Sequence, residues 1–533
     1  MEESSLSSGE RHSPAATPAD APRCPMDLSL LREVPAATPE QVSAAVQRAR
    51  RAQDAWRETP LRDRAARLRD AAKSMLARRH EVMELVRAEV GKPDAEALFN
   101  EALGPLDSVN AWASLVEKHA SPQKVSLNPI AFPGKRATVE RVARGVVGII
   151  APWNFPVSGL YRSVFPALLT GNAVVLKPSE KSPRSSAWLV EVLAAHLPEG
   201  LVAAVQGDGR VGQQLLNEVD ACVFTGSVAA GRAVRVRCAE RAIPCSAEMG
   251  GNDAAIVLAD CDLPRTVAGV TAWALNNAGQ ACGGIEVAYV DRAIADTFVP
   301  RLARAWSKLR AAPGPRGETD VGPLANVQQF ELVKAHVADA VAKGATMRCG
   351  GAPTGAGYYF APTVLDHCTD AMDVVREETF GPVLAVVRVD GAADAVARVN
   401  AGKYGLGASI WSQDLDRAQR LAARLDVGVV TVNNHAFTGA IPALPWSGTR
   451  DTGFGVANSE HSLATFVRPK AVVVDTASGV EMYWPPFDRE LLELGDILSD
   501  AQRGVVARAW KIPLLLRARL RTVADFFREE GGR

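Results

Sequence analysis

Two cysteine patterns are missing from this chain of 533 residues. None of its eight cysteines (Cys24, Cys222, Cys238, Cys245, Cys261, Cys282, Cys349, Cys368) forms a C-x-x-C pair, and none stands at zinc-ligand spacing from a histidine. They read as reduced thiols, one of them a catalytic candidate, and no metal site is expected. No run approaches the ~18 apolar residues of a membrane span, and the N-terminus lacks the apolar stretch of a signal peptide. The expected location is therefore cytoplasmic. Net charge is absent too. Sixty basic and sixty acidic residues cancel, so no global field favours nucleic acid. None of the eight histidines lies in a Cys/His-protease-like context, so a general base for a reactive cysteine is sought among carboxylates. Internal repeats are lacking as well.

What remains is an ordinary globular composition, 47% hydrophobic and 23% charged, at a length that implies two or three domains. Residues 1–26, rich in Ser, Pro and Ala, read as a disordered tail. Helical spacing follows from Thr38, runs from Arg62 to Val90 as one helix stopped by Gly91-Lys92-Pro93, and resumes from Ala95 to Glu117. From Ala137 the period changes. Short apolar runs such as Gly145–Ala151, Ala173–Lys177 and Ala221–Phe224 alternate with helices, and the alternation starts again at Val287. Two α/β domains with parallel sheets are predicted.

One stretch carries the chemistry: Asn276-Asn277-Ala278-Gly279-Gln280-Ala281-Cys282-Gly283-Gly284. Cys282 sits between two of the smallest side chains, which leaves room for a reactant at sulfur and for backbone N–H groups near the reacting atom. Such a cysteine is either an inert buried thiol or a nucleophile. Other motifs decide. Pro152-Trp153-Asn154-Phe155-Pro156 ends a buried strand and offers Asn154 as an oxyanion donor or simply a rigid turn. Lys177 and Glu180 stand where another strand leaves the sheet, at the place nucleotides bind. Gly226-Ser227 opens a helix whose N–H groups suit pyrophosphate. Gly207-Asp208-Gly209-Arg210-Val211-Gly212 matches G-x-G-x-x-G literally but reads as a turn. Glu248 precedes Gly250-Gly251, and Glu378 precedes Phe380-Gly381-Pro382.

In this order the motifs resemble the NAD(P)-dependent aldehyde dehydrogenase superfamily over about residues 38–475. The resemblance implies an aldehyde dehydrogenase-like α/β fold. Its parts would be a Rossmann-like cofactor domain (27–124 and 145–250), an α/β catalytic domain (251–455) and a small β oligomerisation element (125–144 and 456–475). A helical extension (476–533) would follow. It implies Cys282 as the nucleophile, with Asn154 and the Cys282 N–H holding the oxyanion and Glu248 activating the hydrolytic water. The cofactor, NAD with NADP less favoured, would lie against Trp153, Lys177, Glu180, Gly226, Ser227, Gly231, Gly250, Glu378 and Phe380. A small aldehyde substrate and a homo-oligomer, dimer or tetramer, are implied as partners.

Departures from the family pattern are Val287 after Glu286 where Arg is frequent, Asn252 for Lys after Gly250-Gly251, and Arg450–Ala457 for a Lys-x-Ser-Gly-x-Gly-x-Glu run. Arg162, six residues after Pro156, stands where succinate-semialdehyde-like enzymes bind a substrate carboxylate; a salt bridge is the plainer reading. Trp153, Trp273 and Phe437 line either an apolar tunnel or the core. The basic amphipathic segment around Trp510–Arg528 either packs on the protein or lies on a membrane surface. Two other functions share the scaffold. A CoA-acylating enzyme has no use for Glu248, and a non-catalytic binding protein has no use for Cys282, Asn154 and Glu248 together.

Overall fold

The computed structural model describes residues 22–129, 131–314 and 317–528. The disordered tail expected over 1–26 falls on residues 1–21, outside the described residues. From Pro22 onward the chain is built into the fold: Cys24 is buried, and the Pro25 carbonyl accepts the Tyr358 N–H at 2.8 Å.

The strands assort into three sheets. β1 (Gln123–Val125) and β2 (Lys135–Ala143) pair antiparallel in a three-stranded sheet completed by the final strand, Val467–Asp475. A second sheet holds β3 (Val146–Ile150), β4 (Ala173–Lys177), β5 (Val202–Ala204), β6 (Ala221–Thr225) and β7 (Cys245–Glu248). β3 and β4 are buried throughout, as continuous apolar runs in a parallel sheet must be. The parallel order is β5-β4-β3-β6-β7, so the strand order reverses between β3 and β6. Such a reversal opens a crevice at the carboxyl ends of the two strands.

The third sheet is built from β8 (Asp253–Val257), β9 (Ile285–Asp291), β10 (Thr346–Cys349), β11 (Thr363–Asp366), β12 (Val383–Val389), β13 (Gly407–Trp411) and β14 (Val429–Val432). Its order is β10-β11-β12-β9-β8-β13-β14. β8 and β9 are parallel neighbours, with Asp253 opposite Ile285. Glu248 ends β7 five residues before β8, and Cys282 lies three residues before β9. One sheet's carboxyl edge and the other's amino edge thus carry the two residues to one place.

Among the described residues, those from 22 to 121 and Arg141–Pro469 form one compact unit, which contains the second and third sheets. Pro122–Glu140 and Lys470 onward form another. The sequence puts residues 251–455 in the catalytic domain, but Gly453–Phe454 joins the second sheet, antiparallel to β7 with Gly453 opposite Glu248. The polar run that departs from the family pattern therefore edges the strand carrying that acid.

Two helix expectations need correction. Arg62–Val90 is two helices, Leu61–Ala77 and Arg79–Val90, because Arg78 (φ −94°, ψ 17°) breaks the turn. Ala95–Glu117 is likewise broken. Asp94–Ala97 runs into a π-helical turn, Leu98–Ala102, and Gly104-Pro105 restarts the chain as Pro105–Ala120. Proline removes the N–H a continuing helix would need.

In the smaller unit the helices Arg489–Gln502 and Ile512–Arg528 bury Leu494, Ile497 and Val523. Arg519 is fully buried there, donating to Asp488 Oδ2 at 2.9 Å and to the Met482 carbonyl at 2.7 Å. Trp510, Leu514, Phe526 and Phe527 remain exposed. Among the described residues, no helix is long and apolar enough to cross a membrane.

Candidate active site

The loop before Cys282 is held in an unusual backbone. Asn277, Ala278 and Gly279 all adopt left-handed conformations (φ 54°, 54° and 74°). Only glycine does this freely, so the other two must be held by their surroundings. Three side chains hold them. Glu96 accepts the Asn277 N–H at 2.8 Å. The Asn277 side chain donates to the carbonyls of Asn154 and Gln280, each at 3.0 Å. The Gln280 side chain accepts the Ala325 N–H at 2.8 Å and donates to Asn277 O at 2.9 Å. Gly279 abuts the Gly381 carbonyl so closely that any side chain would collide with it, which locks this loop to the Glu378–Pro382 turn.

At the end of the loop, Cys282 Sγ lies 3.6 Å from Glu248 Oε1, close enough for a proton to pass from thiol to carboxylate. The Trp446 indole N–H donates to the same oxygen and orients it. Trp446 also explains Gly283, where a Cβ would sit 2.7 Å from the indole ring. The small residue after the cysteine thus makes room for a tryptophan, and not only for a reactant as its size alone suggests. Burial pushes the Cys282 thiol well above its ordinary range, and the carboxylates of Glu248, Asp253 and Glu378 push it further. Burial also raises Glu248, against the stabilising Trp446 hydrogen bond. The pair is a stored thiol beside a carboxylate able to take up a proton.

Asn154 is buried, and its side-chain N–H donates to Gln280 O at 3.1 Å, which ties it to the cysteine loop. It leaves the amide's second hydrogen for a ligand. Behind it lies an ion pair no sequence motif marks. Lys92 and Glu101 are both buried and joined, Lys92 Nζ stands 3.9 Å over the Phe155 ring, and Glu101 accepts the N–H groups of Val157 (3.1 Å) and Ser158 (2.8 Å). This brace fixes the turn that follows Asn154. Breaking one partner of such a pair typically costs about 3–5 kcal/mol.

The residues read as cofactor contacts gather in part. Lys177 is buried at the end of β4, with Glu180 Oε2 3.5 Å from its ammonium. Burial lowers the Lys177 pKa, and Glu180 offsets this. Glu180 itself is half exposed. Ser227 caps the helix Val228–Glu240, accepting the Ala230 N–H at 3.4 Å, and this helix start faces solvent beside the β3/β6 reversal. A buried cation whose carboxylate stands at long hydrogen-bond range, with an open helix N-terminus nearby, fits the hydroxyls and phosphates of a dinucleotide.

Glu378 accepts the Gly251 N–H at 3.0 Å, and its carboxylate fills the space a side chain at Gly250 would need. Burial pushes it up to about 7. Phe380 meets Trp153 edge-on, ring centroids 5.7 Å apart. Gly231, in the first turn of the helix Val228–Glu240, packs against Met249 and Phe224, and its smallness seats the helix on the sheet. The G-x-G-x-x-G stretch is more than a turn. Asp208 caps the helix Gly209–Leu216, and Gly212 packs along the Lys177 side chain.

Asn252, a departure from the family pattern, and Glu286, next to the departing Val287, also find work. Glu286 accepts the N–H groups of Thr379 (2.6 Å) and Phe380 (2.9 Å), and Asn252 donates to the carbonyls of Val375 (2.9 Å) and Glu377 (3.2 Å). Trp273 donates to Asn434 at 2.8 Å, and Phe437 is largely exposed. Arg162 lies on the helix Ser158–Leu169, half-buried and close enough for its charge to favour ionised Glu248. A cavity of about 670 Å³ lined by Asn252, Asp253, Tyr289, Lys403 and Tyr404 includes neither Cys282 nor Glu248.

Comparison with known proteins follows the same lines. The family model described as "Aldehyde dehydrogenase family" matches residues 17–472. A 4,4'-diapolycopene aldehyde oxidase of Methylomonas sp is 38% identical over 447 residues, 84% of this chain and 84% of that protein. A provisionally named NADP+ succinate-semialdehyde dehydrogenase of Mycolicibacterium smegmatis is 34% identical over 489 residues, 91% of this chain and 92% of that protein. The crystal structure of a Mycobacterium tuberculosis aldehyde dehydrogenase complexed with NAD+ has a TM-score of 0.81 at 32% identity, covering 86% of this chain and 95% of that one.

Proposed function

This chain belongs to the aldehyde dehydrogenase family and is an NAD(P)-dependent oxidoreductase of aldehydes; from that premise we propose that it forms a carboxylic acid through a thioester on Cys282, with Glu248 as its base. The supporting observation is the 3.6 Å approach of Cys282 Sγ to Glu248 Oε1. Glu248 takes the thiol proton as sulfur attacks the aldehyde carbon. The Asn154 amide and the Cys282 N–H stabilise the oxyanion of the thiohemiacetal, which such donors do by several kcal/mol. When bound, the nicotinamide supplies the hydride acceptor. Glu248 then removes a proton from the water that cleaves the thioester. Lys177, Glu180, Ser227, the Gly250-Gly251 turn and Glu378 hold the dinucleotide. NADH formation from a short aldehyde, unchanged when CoA is omitted, tests this reading; a strict need for CoA would overturn it.

NAD is the favoured cofactor. A 2′-phosphate beside Glu180 meets a like charge, and such juxtapositions cost up to several kcal/mol. The chain acts as a homo-oligomer in the cytoplasm, which light scattering on the purified protein and fractionation of cells would check.

A second reading concerns the substrate: an aldehyde bearing a remote carboxylate. It is favoured by Arg162, whose guanidinium has no hydrogen bond or ion pair among the described residues while its charge is felt at Glu248. Charged hydrogen bonds contribute roughly 1.5–3 kcal/mol. Arg162→Ala should therefore lower kcat/KM for succinic semialdehyde about ten- to a hundredfold and leave butanal unchanged. Equal effects on both substrates would make Arg162 a scaffold residue.

A further inference from the structure

Three cysteines that the reaction does not use come together behind the strand that carries Glu248. Cys222 on β6 and Cys245 on β7 are register partners across two adjacent parallel strands, and Cys238 comes down on them from the helix Val228–Glu240. Their sulfur atoms all lie within 4.8 Å of one another. Cys222 and Cys238 are buried, Cys245 is half-buried, and all three are free thiols. The rest of the pocket is apolar, formed by Leu216, Phe224, Ala247 and Met249.

The charge around this trio differs from that around Cys282. Guanidinia act on it, Arg241 on Cys238 and Arg235 on Cys245. The neighbouring Cys222 and Cys245 thiols lower the pKa of the Cys238 thiol, which favours its thiolate form.

We propose that Cys222, Cys238 and Cys245 form a three-thiolate binding site for Cu(I). Bonds of ~2.3 Å from a central ion to three sulfurs place those sulfurs ~4 Å apart, so closure needs movements of less than ~1 Å. Thiolates without histidine or carboxylate select a soft ion, and three ligands with no fourth suit Cu(I) better than tetrahedral zinc. On binding, up to three thiol protons pass to solvent. The resulting complex carries up to two negative charges, which Arg235 and Arg241 offset. The ion clasps β7 three residues before Glu248 and the helix that Ser227 caps, so its occupancy stiffens the strand under the catalytic base.

The test uses the full-length chain with Cys282→Ala, which removes the competing reactive thiol. Cu(I) is supplied anaerobically from a bicinchoninate buffer, and copper retained after desalting is counted. One Cu(I) per chain is expected, with an X-ray absorption edge of three-coordinate copper and a raised Tm. Adding Cys238→Ser or, separately, the less buried Cys245→Ser should lower retention at least tenfold, with far-UV circular dichroism unchanged in at least one of them. No retained copper in the parent, undiminished retention in the folded variant, or a two-coordinate edge would overturn the proposal.

Discussion

The crevice at the ends of β3, β4 and β6 and the surroundings of Cys282 belong to one compact unit, yet they gather different ionisable groups. The first offers a buried ammonium, Lys177, and the solvent-facing start of the helix that Ser227 caps. The second gathers Glu248, Asp253 and Glu378 about a thiol, with Glu286 beside Glu378. A dinucleotide is anionic along its phosphates, so the first region suits binding. Burial and neighbouring carboxylates raise the Cys282 pKa, so the second region keeps Cys282 as a thiol rather than exposing a thiolate.

The largest effect should come from the thiol side alone. Cys282→Ala is expected to lower turnover by about 10⁴-fold or more, as loss of a nucleophile does in other enzymes. Dinucleotide binding, followed by fluorescence titration, should not change. A comparable loss of binding would merge the two regions into one functional unit.

On the other side, Glu180 should set cofactor choice by about tenfold in kcat/KM for NAD over NADP, a difference of about 1.4 kcal/mol. Glu180→Gln should narrow that ratio while leaving the reactivity of Cys282 untouched. Equal efficiency with both cofactors in the unaltered protein would show that Glu180, half exposed as it is, turns away.

The smallest effect tests the buried carboxyl behind the cysteine loop. Burial pushes Glu96 up to about 7 from 4.5, against the Asn277 N–H that it accepts. A carboxyl raised in the folded state contributes stability fully below its unfolded value, and loses that contribution as pH rises through about 7. Glu96→Gln carries no such penalty. Its Tm relative to the unaltered protein should therefore be higher at pH 8.5 than at pH 5 by a few degrees. A pH-independent difference would mean that Glu96 stays neutral or well solvated throughout.

The sequence made the family legible because Cys282, Glu248 and Asn154 each sit in a short local motif beside a strand terminus. The alternating apolar runs likewise announced both parallel sheets. What stayed hidden joins residues far apart in the chain. Trp446 reaches Glu248 across 198 positions and Glu96 reaches Asn277 across 181, and no local spacing signals either. Glu286 carried no role in the sequence, yet its carboxylate holds two backbone N–H groups 93 and 94 positions away. The cysteine trio failed every spacing rule for a metal site, because adjacent strands and a covering helix assemble it.

The pairing of Cys282 with Glu248 is tested most directly by Glu248→Gln, which keeps the shape of the side chain and removes its basicity. Rapid mixing with an aldehyde and NAD should give a burst of about one NADH per active site followed by near-silence, because the thioester forms and is not hydrolysed. If burst and steady rate instead fall together by the same factor, Glu248 only shapes the pocket and is not the base that releases the product.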